Sequence, residues 1–119
     1  MPGRNLGYGK VHHFTRDGQA PPDAAPDGFY LSGLVVAPGH RHQGVGTALV
    51  RARLAWVARR APYAWYFANA RNVASLRLHA ELGFVEVTRD FSYPGVEFSG
   101  GVGVLCRADV TGPAGASAG

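Results

Sequence analysis

The pattern of apolar and polar positions divides the first third of the chain into two strands separated by a loop. Residues 7–14 form a strand pattern with a basic, histidine-rich edge. Residues 17–27 contain Gly18 and three prolines, a composition that predicts a loop. Residues 28–36 are almost continuously apolar and are followed by Pro38 and Gly39, so they predict a strand covered on both faces.

The pattern changes to that of a helix between residues 44 and 60, where apolar residues recur at steps of three and four. Pro62 ends this segment. We expect the apolar stripe to face the sheet and the arginines to take much of the remaining surface. The stripe consists of Val45, Leu49, Ala52 and Trp56, widened by Val50, Leu54 and Val57, and the arginines are Arg51, Arg53, Arg59 and Arg60.

The following segment, residues 63–68, is aromatic and apolar and predicts a second central strand. Strand, helix and strand with short connections form a βαβ unit, so the two central strands should be parallel. We interpret Trp56, Trp65, Tyr66 and Phe67 as packing residues. The alternative is that one or two of them line an aromatic acceptor pocket.

The last part of the chain predicts a short helix and two antiparallel strands. The helix covers residues 73–82, with Leu76, Ala80 and Leu82 inward, and Gly83 is placed to end it in a left-handed conformation. Strands are expected at residues 84–91 and 101–108, with a turn at Pro94. Residues 111–119 have little to bury and are expected to be a disordered tail.

Composition places the chain among ordinary globular proteins. It has 119 residues, 46% hydrophobic and 17% charged, which predicts one domain over residues 1–110. No apolar run approaches the roughly 20 residues of a membrane span, and no apolar signal core follows the first residues. The only cysteine, Cys106, lies in an apolar run, so we expect a small core residue in a reducing cytoplasm and no internal disulfide.

The formal net charge of +4 suits a polyanionic ligand. The basic residues are scattered, however, and no run of lysine or arginine exceeds two residues. This distribution favours solvated helix faces and one phosphate site over a nucleic-acid groove. The histidines at positions 12, 13, 40 and 42 lack paired helical spacing and acidic companions, so we expect no metal site.

The segment between the first central strand and the helix carries the strongest chemical signal. Its glycines do not match the dinucleotide pattern G-x-G-x-x-G, and Val45 stands where a Walker loop needs lysine. What remains is R-x-x-G-x-G, formed by Arg41, Gly44 and Gly46. Glycines let a ligand approach the backbone, and the unpaired amides of a helix start attract phosphate, so the loop predicts phosphate binding.

Two blocks of the sequence resemble the GNAT superfamily of acetyl-CoA-dependent N-acetyltransferases. The first is residues 34–49, LVVAPGHRHQGVGTAL, and the second is residues 69–84, NARNVASLRLHAELGF. The resemblance spans roughly residues 28–110 and implies an α/β (α+β) fold. Its sheet would be mixed and mostly antiparallel, with a central parallel strand pair and flanking helices. The usual two N-terminal helices have no counterpart in the short segment before residue 28.

The resemblance also implies the donor site. The backbone of Leu34, Val35 and Val36 would pair with the pantetheine arm of acetyl-CoA and polarise its thioester carbonyl. The loop and helix start would hold the pyrophosphate, and Asn72 would bond the pantetheine or serve as the cap of the second helix. The pyrophosphate-binding residues are expected to be Arg41, His42, Gln43, Gly44, Val45, Gly46 and Thr47.

Members of this family let a neutral amine attack the thioester directly while an acid protonates the leaving thiolate. His79 occupies the position at which a tyrosine is common, and histidine titrates near neutrality, so His79 is the expected acid; the alternative is a packed histidine without proton transfer. The general base stays open among Tyr30, Tyr66, Glu81, Glu86 and a water relay.

The resulting hypothesis is acetyl transfer to a primary amine, with a small-molecule acceptor expected before a peptide or protein amine. The first alternative is a non-catalytic acetyl-CoA-binding or CoA-binding module. The second is a nucleic-acid binder, whose affinity would fall steeply with salt. The short N-terminal part leaves a strand edge that a second copy of the chain could cover, so a homodimer is expected, without nucleic-acid or membrane partners.

Overall fold

The computed structural model describes residues 7–36, 44–98 and 101–111, with the backbone alone for residues 7–9 and 33–36. These parts of the chain form five strands and two helices. In chain order the elements are β1 (Gly7–Phe14), β2 (Gly28–Val36), α1 (Val45–Ala58), β3 (Tyr63–Asn69), α2 (Val73–Glu81), β4 (Val85–Thr88) and β5 (Gly103–Asp109).

The five strands form one mixed sheet in the order β1-β2-β3-β5-β4. Only β2 and β3 are parallel, and the other described neighbours are antiparallel. The sheet confirms the predicted mixed α/β architecture and its central parallel pair. The parallel pair follows from the crossover through α1, which returns the chain to the same end of the sheet.

The boundaries of β1 and β2 are those that the sequence pattern predicts, but β4 is shorter than the predicted strand over residues 84–91. The hydroxyl of Thr88 accepts a hydrogen bond from the amide of Asp90 at 3.0 Å, which turns the chain away from the sheet. Gly83 and Gly95 have φ values of 103° and 76°, as expected for a helix end and a turn. The predicted tail lies outside the described residues from position 112 onward.

The buried stripe of α1 differs from the predicted one. The helix buries Val50, Arg53 and Val57, whereas Trp56 is 42% exposed. Periodicity assigned Arg53 to the solvent side and Trp56 to the core, and both assignments are wrong. Trp56 instead packs at the rim, where the guanidinium of Arg60 lies 3.5 Å from the centroid of its ring.

The sheet has two differently covered faces. On the helix face, α1 and α2 pack on a core that includes Leu31, Ala64 and Val104. On the opposite face, loops cover a smaller aromatic core built on Tyr30, Trp65 and Leu105. Two of those loop segments are joined by main-chain hydrogen bonds, since the amide of Ala25 donates to Ser92 O at 2.8 Å and the amide of Ser92 to Asp23 O at 2.9 Å. We call these the helix face and the loop face.

Cys106 is buried in the core of the helix face, as predicted, and burial raises the pKa of its thiol to about 11. Within the described residues, no helix has the length and apolarity to cross a membrane.

Candidate functional site

The two parallel strands separate soon after they begin. Pairing between β2 and β3 is confined to Phe29 with Ala64 and Tyr30 with Trp65. Beyond these pairs, β3 stays paired with β5 along its other edge, and β2 stays paired with β1. The strands therefore open a wedge toward their carboxyl ends, where the described part of β2 from Leu31 onward has no partner on β3. We call this opening the β2–β3 wedge.

A bulge in β2 lies beside the wedge. Tyr8 pairs with Val35 and Lys10 with Ser32, so β2 has one more residue than β1 in this interval. The guanidinium of Arg53 covers the irregularity, because its Nη1 donates to the carbonyls of Lys10 and Ser32, each at 3.2 Å. Its Nη2 is buried and has no hydrogen-bond partner in the described structure.

Both helices begin at the open end of the wedge, since each follows a parallel strand. Gly44 precedes α1 with φ of 78° and ψ of 3°, and a Cβ at this position would meet no atom of the described residues within 4 Å. The left-handed backbone therefore explains the glycine here, and the space around it is open. Val45, Gly46 and Thr47 form the first turn of α1, whose amides lack partners inside the helix.

The remaining predicted donor-site residues are placed unevenly. The backbone of Leu34, Val35 and Val36 belongs to β2 at the bulge and the wedge. Arg41, His42 and Gln43 lie outside the described residues. Asn72 is the N-cap of α2, with its Oδ1 accepting from the amide of Ser75 at 3.3 Å, as the capping alternative predicts.

His79, the expected acid, is almost completely buried under the helix face, with 1% of its surface exposed. Its ring lies parallel to that of Tyr66 in β3, with centroids 3.6 Å apart. Its Nδ1 lies 2.8 Å from the carbonyl of Ser75, which makes Nδ1 the donor and leaves Nε2 without a proton in the neutral ring. The hydroxyl of Tyr66 is hydrogen-bonded to that of Ser75.

Burial dominates the electrostatics of this cluster. Desolvation, opposed by the hydrogen bond to Ser75 and reinforced by the nearby charge of Arg53, lowers the pKa of His79 to about 4. Desolvation also raises the pKa of Tyr66, so both groups are neutral near pH 7. With a pKa near 4, about one His79 ring in a thousand would be protonated at pH 7 in the resting protein.

The structure separates the other predicted proton acceptors from one another. Tyr30 is 1% exposed on the loop face, its hydroxyl donates to Pro26 O at 2.7 Å, and burial raises its pKa. Glu86, in β4, forms an exposed ion pair with Arg89. In the sheet, β4 is separated from β3 by β5. Glu81 is exposed at the end of α2.

The loop face holds a polar chain that sequence reasoning did not single out. His12 Nε2 lies 2.5 Å from the hydroxyl of Tyr93, and His12 Nδ1 lies 3.3 Å from Ser32 Oγ. His12 and Tyr93 are 81 residues apart in the sequence, so no local spacing could have joined them. The burial of Arg53 could have been predicted from its position, because it lies three residues after Val50 and four before Val57, in phase with the buried face of α1.

A cavity of about 600 Å³ lies away from the wedge between α1, the end of α2, β4 and β5. Its lining includes Leu54, Leu82, Val85 and Val110, together with Glu86 from the base candidates, and none of the predicted donor-site residues. Among the described residues, no group of three histidine, cysteine or acidic side chains is arranged to hold a metal ion.

With this geometry in place, the family follows from the sequence over most of its length. Residues 3–84 match the model of the Acetyltransferase (GNAT) family. The chain belongs to the GNAT family. This match spans β1 through α2, including the bulge, the wedge and the starts of both helices.

Solved structures show the same fold. The GNAT chain is similar to a NatC complex bound to Gag peptide and CoA, with a TM-score of 0.72 and 18% identity over 93% of this chain and 65% of that one. It is also similar to Chaetomium thermophilum Naa20 with a bisubstrate analogue (TM-score 0.60, 18% identity, 87% and 57% covered).

A third similar structure is the ribosomal-protein-S18-alanine N-acetyltransferase from Escherichia coli, with a TM-score of 0.56 and 23% identity over 85% and 68% of the two chains. The GNAT chain thus spans between about half and two thirds of the length of these proteins. Among curated protein sequences, none matches it.

Proposed function

We propose that this GNAT chain transfers the acetyl group of acetyl-CoA to a primary amine by direct attack of the amine nitrogen on the thioester. The observation that carries this proposal is the β2–β3 wedge. Its pairing stops at Tyr30 and Trp65, and α1 and α2 begin where the strands have parted. A free strand edge beside two helix N-termini suits an extended thioester that ends in phosphates.

The residues that remain in the described structure fit this donor. The open space and left-handed backbone at Gly44 let phosphate oxygens reach the amides of Val45, Gly46 and Thr47. Arg41, His42 and Gln43 complete this phosphate grip in the proposal. The cap of α2 uses only Oδ1 of Asn72, so Nδ2 is the atom we assign to the pantetheine arm.

The free edge of β2 takes the pantetheine arm as an added strand would. Main-chain groups of Leu34, Val35 and Val36 would form hydrogen bonds with its amides and polarise the thioester carbonyl. Bound acetyl-CoA supplies an activated acetyl group, and the protein positions that group inside the wedge, at the end of the pantetheine arm away from the phosphates.

His79 is the proposed acid for the departing thiolate. Burial keeps the resting ring neutral, so His79 must take up a proton from water at Nε2 and pass it to the sulfur as negative charge develops there. A negative charge next to the ring favours the imidazolium and raises its pKa toward the working range. This protonation would separate a catalytic His79 from the alternative, a histidine that only stacks on Tyr66.

The acceptor is proposed to be a small-molecule amine, with a peptide or protein amine as the second candidate. The similar structures include complexes with Gag peptide and with a bisubstrate analogue and an enzyme named for ribosomal protein S18 alanine. At 18–23% identity these likenesses establish the fold and not the acceptor, so the test includes both small-molecule and peptide amines.

The test combines donor binding with thiol release. Isothermal titration with acetyl-CoA should show one site per chain, and a thiol reagent should report CoA release with at least one member of a panel of small amines and peptides with free α-amines. Acetyl-CoA binding without release on any acceptor would support the non-catalytic module instead. Binding to nucleic acid that falls steeply with salt and survives changes at Gly44 would support the nucleic-acid binder.

A second copy of the chain is the proposed partner of β1. Of the described residues, none pairs with the outer edge of β1, which is the kind of edge that association covers. Sedimentation should then show a dimer. A monomer at the concentrations used for the acetyl-CoA titration would remove this part of the proposal.

A further inference from the structure

The loop face is the side from which an acceptor can reach the wedge. Residues of β2 alternate in direction, so Leu31 packs with the helix-face core and Tyr30 with the loop-face core. The proposed phosphate site lies at the starts of α1 and α2, on the helix face. An amine that meets the acetyl group across the wedge therefore approaches from the loop face.

Tyr93 lies over the base of the wedge on that face. Its ring is 5.3 Å from that of Tyr30 in β2 and 4.8 Å from that of Phe67 in β3, measured between centroids. Phe67 follows the last residue of β3 that pairs with β2 by two positions. Tyr93 is held there by its neighbour Ser92, which bonds to Asp23 and Ala25 through the main chain.

The hydroxyl of Tyr93 is the end of the polar chain described above. Desolvation raises the pKa of Tyr93, so its oxygen keeps its proton and donates it to His12 Nε2. His12 Nδ1 then carries the ring hydrogen and donates to Ser32 Oγ. Desolvation also lowers the pKa of His12, which leaves its ring neutral near pH 7 and able to accept a proton.

We propose that Tyr93 and His12 form a relay that removes the proton of the incoming ammonium, with Ser32 fixing the orientation of the imidazole. The proposal rests on the acetyltransferase function above and supplies its unassigned general base. Tyr93 is the catalytic residue that touches the amine, and His12 and Ser32 act through it.

An N–H bond of the ammonium breaks and its proton forms a bond to the Tyr93 oxygen, while the original Tyr93 proton moves to His12 Nε2. The amine nitrogen regains the lone pair that attacks the acetyl carbonyl carbon. His12 becomes an imidazolium and, because its side chain is exposed, returns the proton to solvent.

The surroundings of the relay suit a cationic amine. The rings of Phe14, Tyr30 and Phe67 contact the Tyr93 ring, and ring faces attract ammonium groups. The titratable or charged groups that share this face include Lys10 from β1, which pairs with Ser32, Tyr30 from β2 and Asp27 from the loop before it. They also include Asp23, whose carboxylate accepts from Ser92 Oγ at 3.2 Å, and Arg107 of β5, which lies over the Trp65 ring. His13 points the other way, toward Phe29 on the helix face.

The test compares Tyr93→Phe and His12→Gln with His13→Gln, a matched change one residue away on the other face. With an acceptor amine found in the panel, kcat/KM for the amine at pH 7 should fall about 100-fold or more in the first two variants and stay within about twofold in the third. Acetyl-CoA affinity should not change in any of them. Above the pKa of the amine itself the loss should shrink, because free amine no longer needs the relay.

A second readout does not depend on turnover. In ¹⁵N-histidine-labelled protein, the His12 nitrogen shifts should show the Nδ1–H form, and Tyr93→Phe should remove that preference. Full activity in both variants, or loss that does not shrink at high pH, would overturn the relay while acetyl transfer by the wild type stands. If the wild type binds acetyl-CoA and acetylates no amine, the proposed function fails and the relay fails with it.

Discussion

The imidazole of His79 stacks face to face on the phenol ring of Tyr66, with centroids 3.6 Å apart and planes inclined by 8°. This contact packs α2 on β3, the strand that separates from β2 to form the wedge. It also removes the imidazole from water. The folded state therefore holds His79 neutral, which has consequences for both stability and activity.

Stability should depend on pH through His79. Its pKa is about 4 when folded and 6.5 when exposed, so the unfolded chain binds the extra proton between these values. The free energy of unfolding should fall by about 3 kcal/mol from this group as the pH falls from about 7 to 4. His79→Phe keeps an aromatic ring without the titration. Urea unfolding at several pH values should show a flatter profile in this variant, and equal slopes would contradict a buried neutral His79.

Activity should depend on the same ring. If His79 gives its proton to the departing thiolate, His79→Phe should lower kcat by about 100-fold or more while acetyl-CoA affinity changes little. Steady-state and single-turnover rates on the folded variant provide the measurement. A kcat within about threefold of the wild type would reduce His79 to a packing residue.

Arg53 should stabilise the bulge and tune His79. Arg53→Met leaves the carbonyls of Lys10 and Ser32 without their donor, which should cost about 2–4 kcal/mol of unfolding free energy. The same change removes a charge that lowers the pKa of His79, so that pKa should rise. Urea unfolding and histidine NMR titration measure the two effects. Arg51→Met, on the exposed side of α1, is the control and should change neither.

Part of the fold could be predicted from the sequence, whereas the burial of Arg53 was not predicted. Element order, the bounds of β1 and β2, and the parallel pair followed from apolar runs and turn residues. The donor-site residues implied by the family resemblance stay predictions. Arg53 was misassigned because helical periodicity counts arginine as polar, whereas the bulge in β2 creates buried carbonyls that need a donor. The approach of His12 to Tyr93 depends on how two loops cover the loop face, which no local pattern encodes.

Gly44 offers a matched comparison for the phosphate site. Gly44 and Gly95 have φ values of 78° and 76°, and within the described parts of the chain a Cβ at either position would meet no atom closer than 4 Å. Alanine at either position should therefore cost a similar amount, about 1 kcal/mol of stability. Only Gly44→Ala should weaken acetyl-CoA binding, by about tenfold or more, because its methyl group lies where phosphate approaches α1. Equal affinities in the two variants, measured by isothermal titration, would remove Gly44 from the site.

The most direct test of the account is a crystal structure of the protein with acetyl-CoA. The account predicts that the pantetheine arm lies in the β2–β3 wedge along Leu34, Val35 and Val36, with the pyrophosphate at the first turn of α1 and the acetyl group facing Tyr93. Acetyl-CoA bound instead in the 600 Å³ cavity beside Leu54 and Leu82, with the wedge empty, would contradict it.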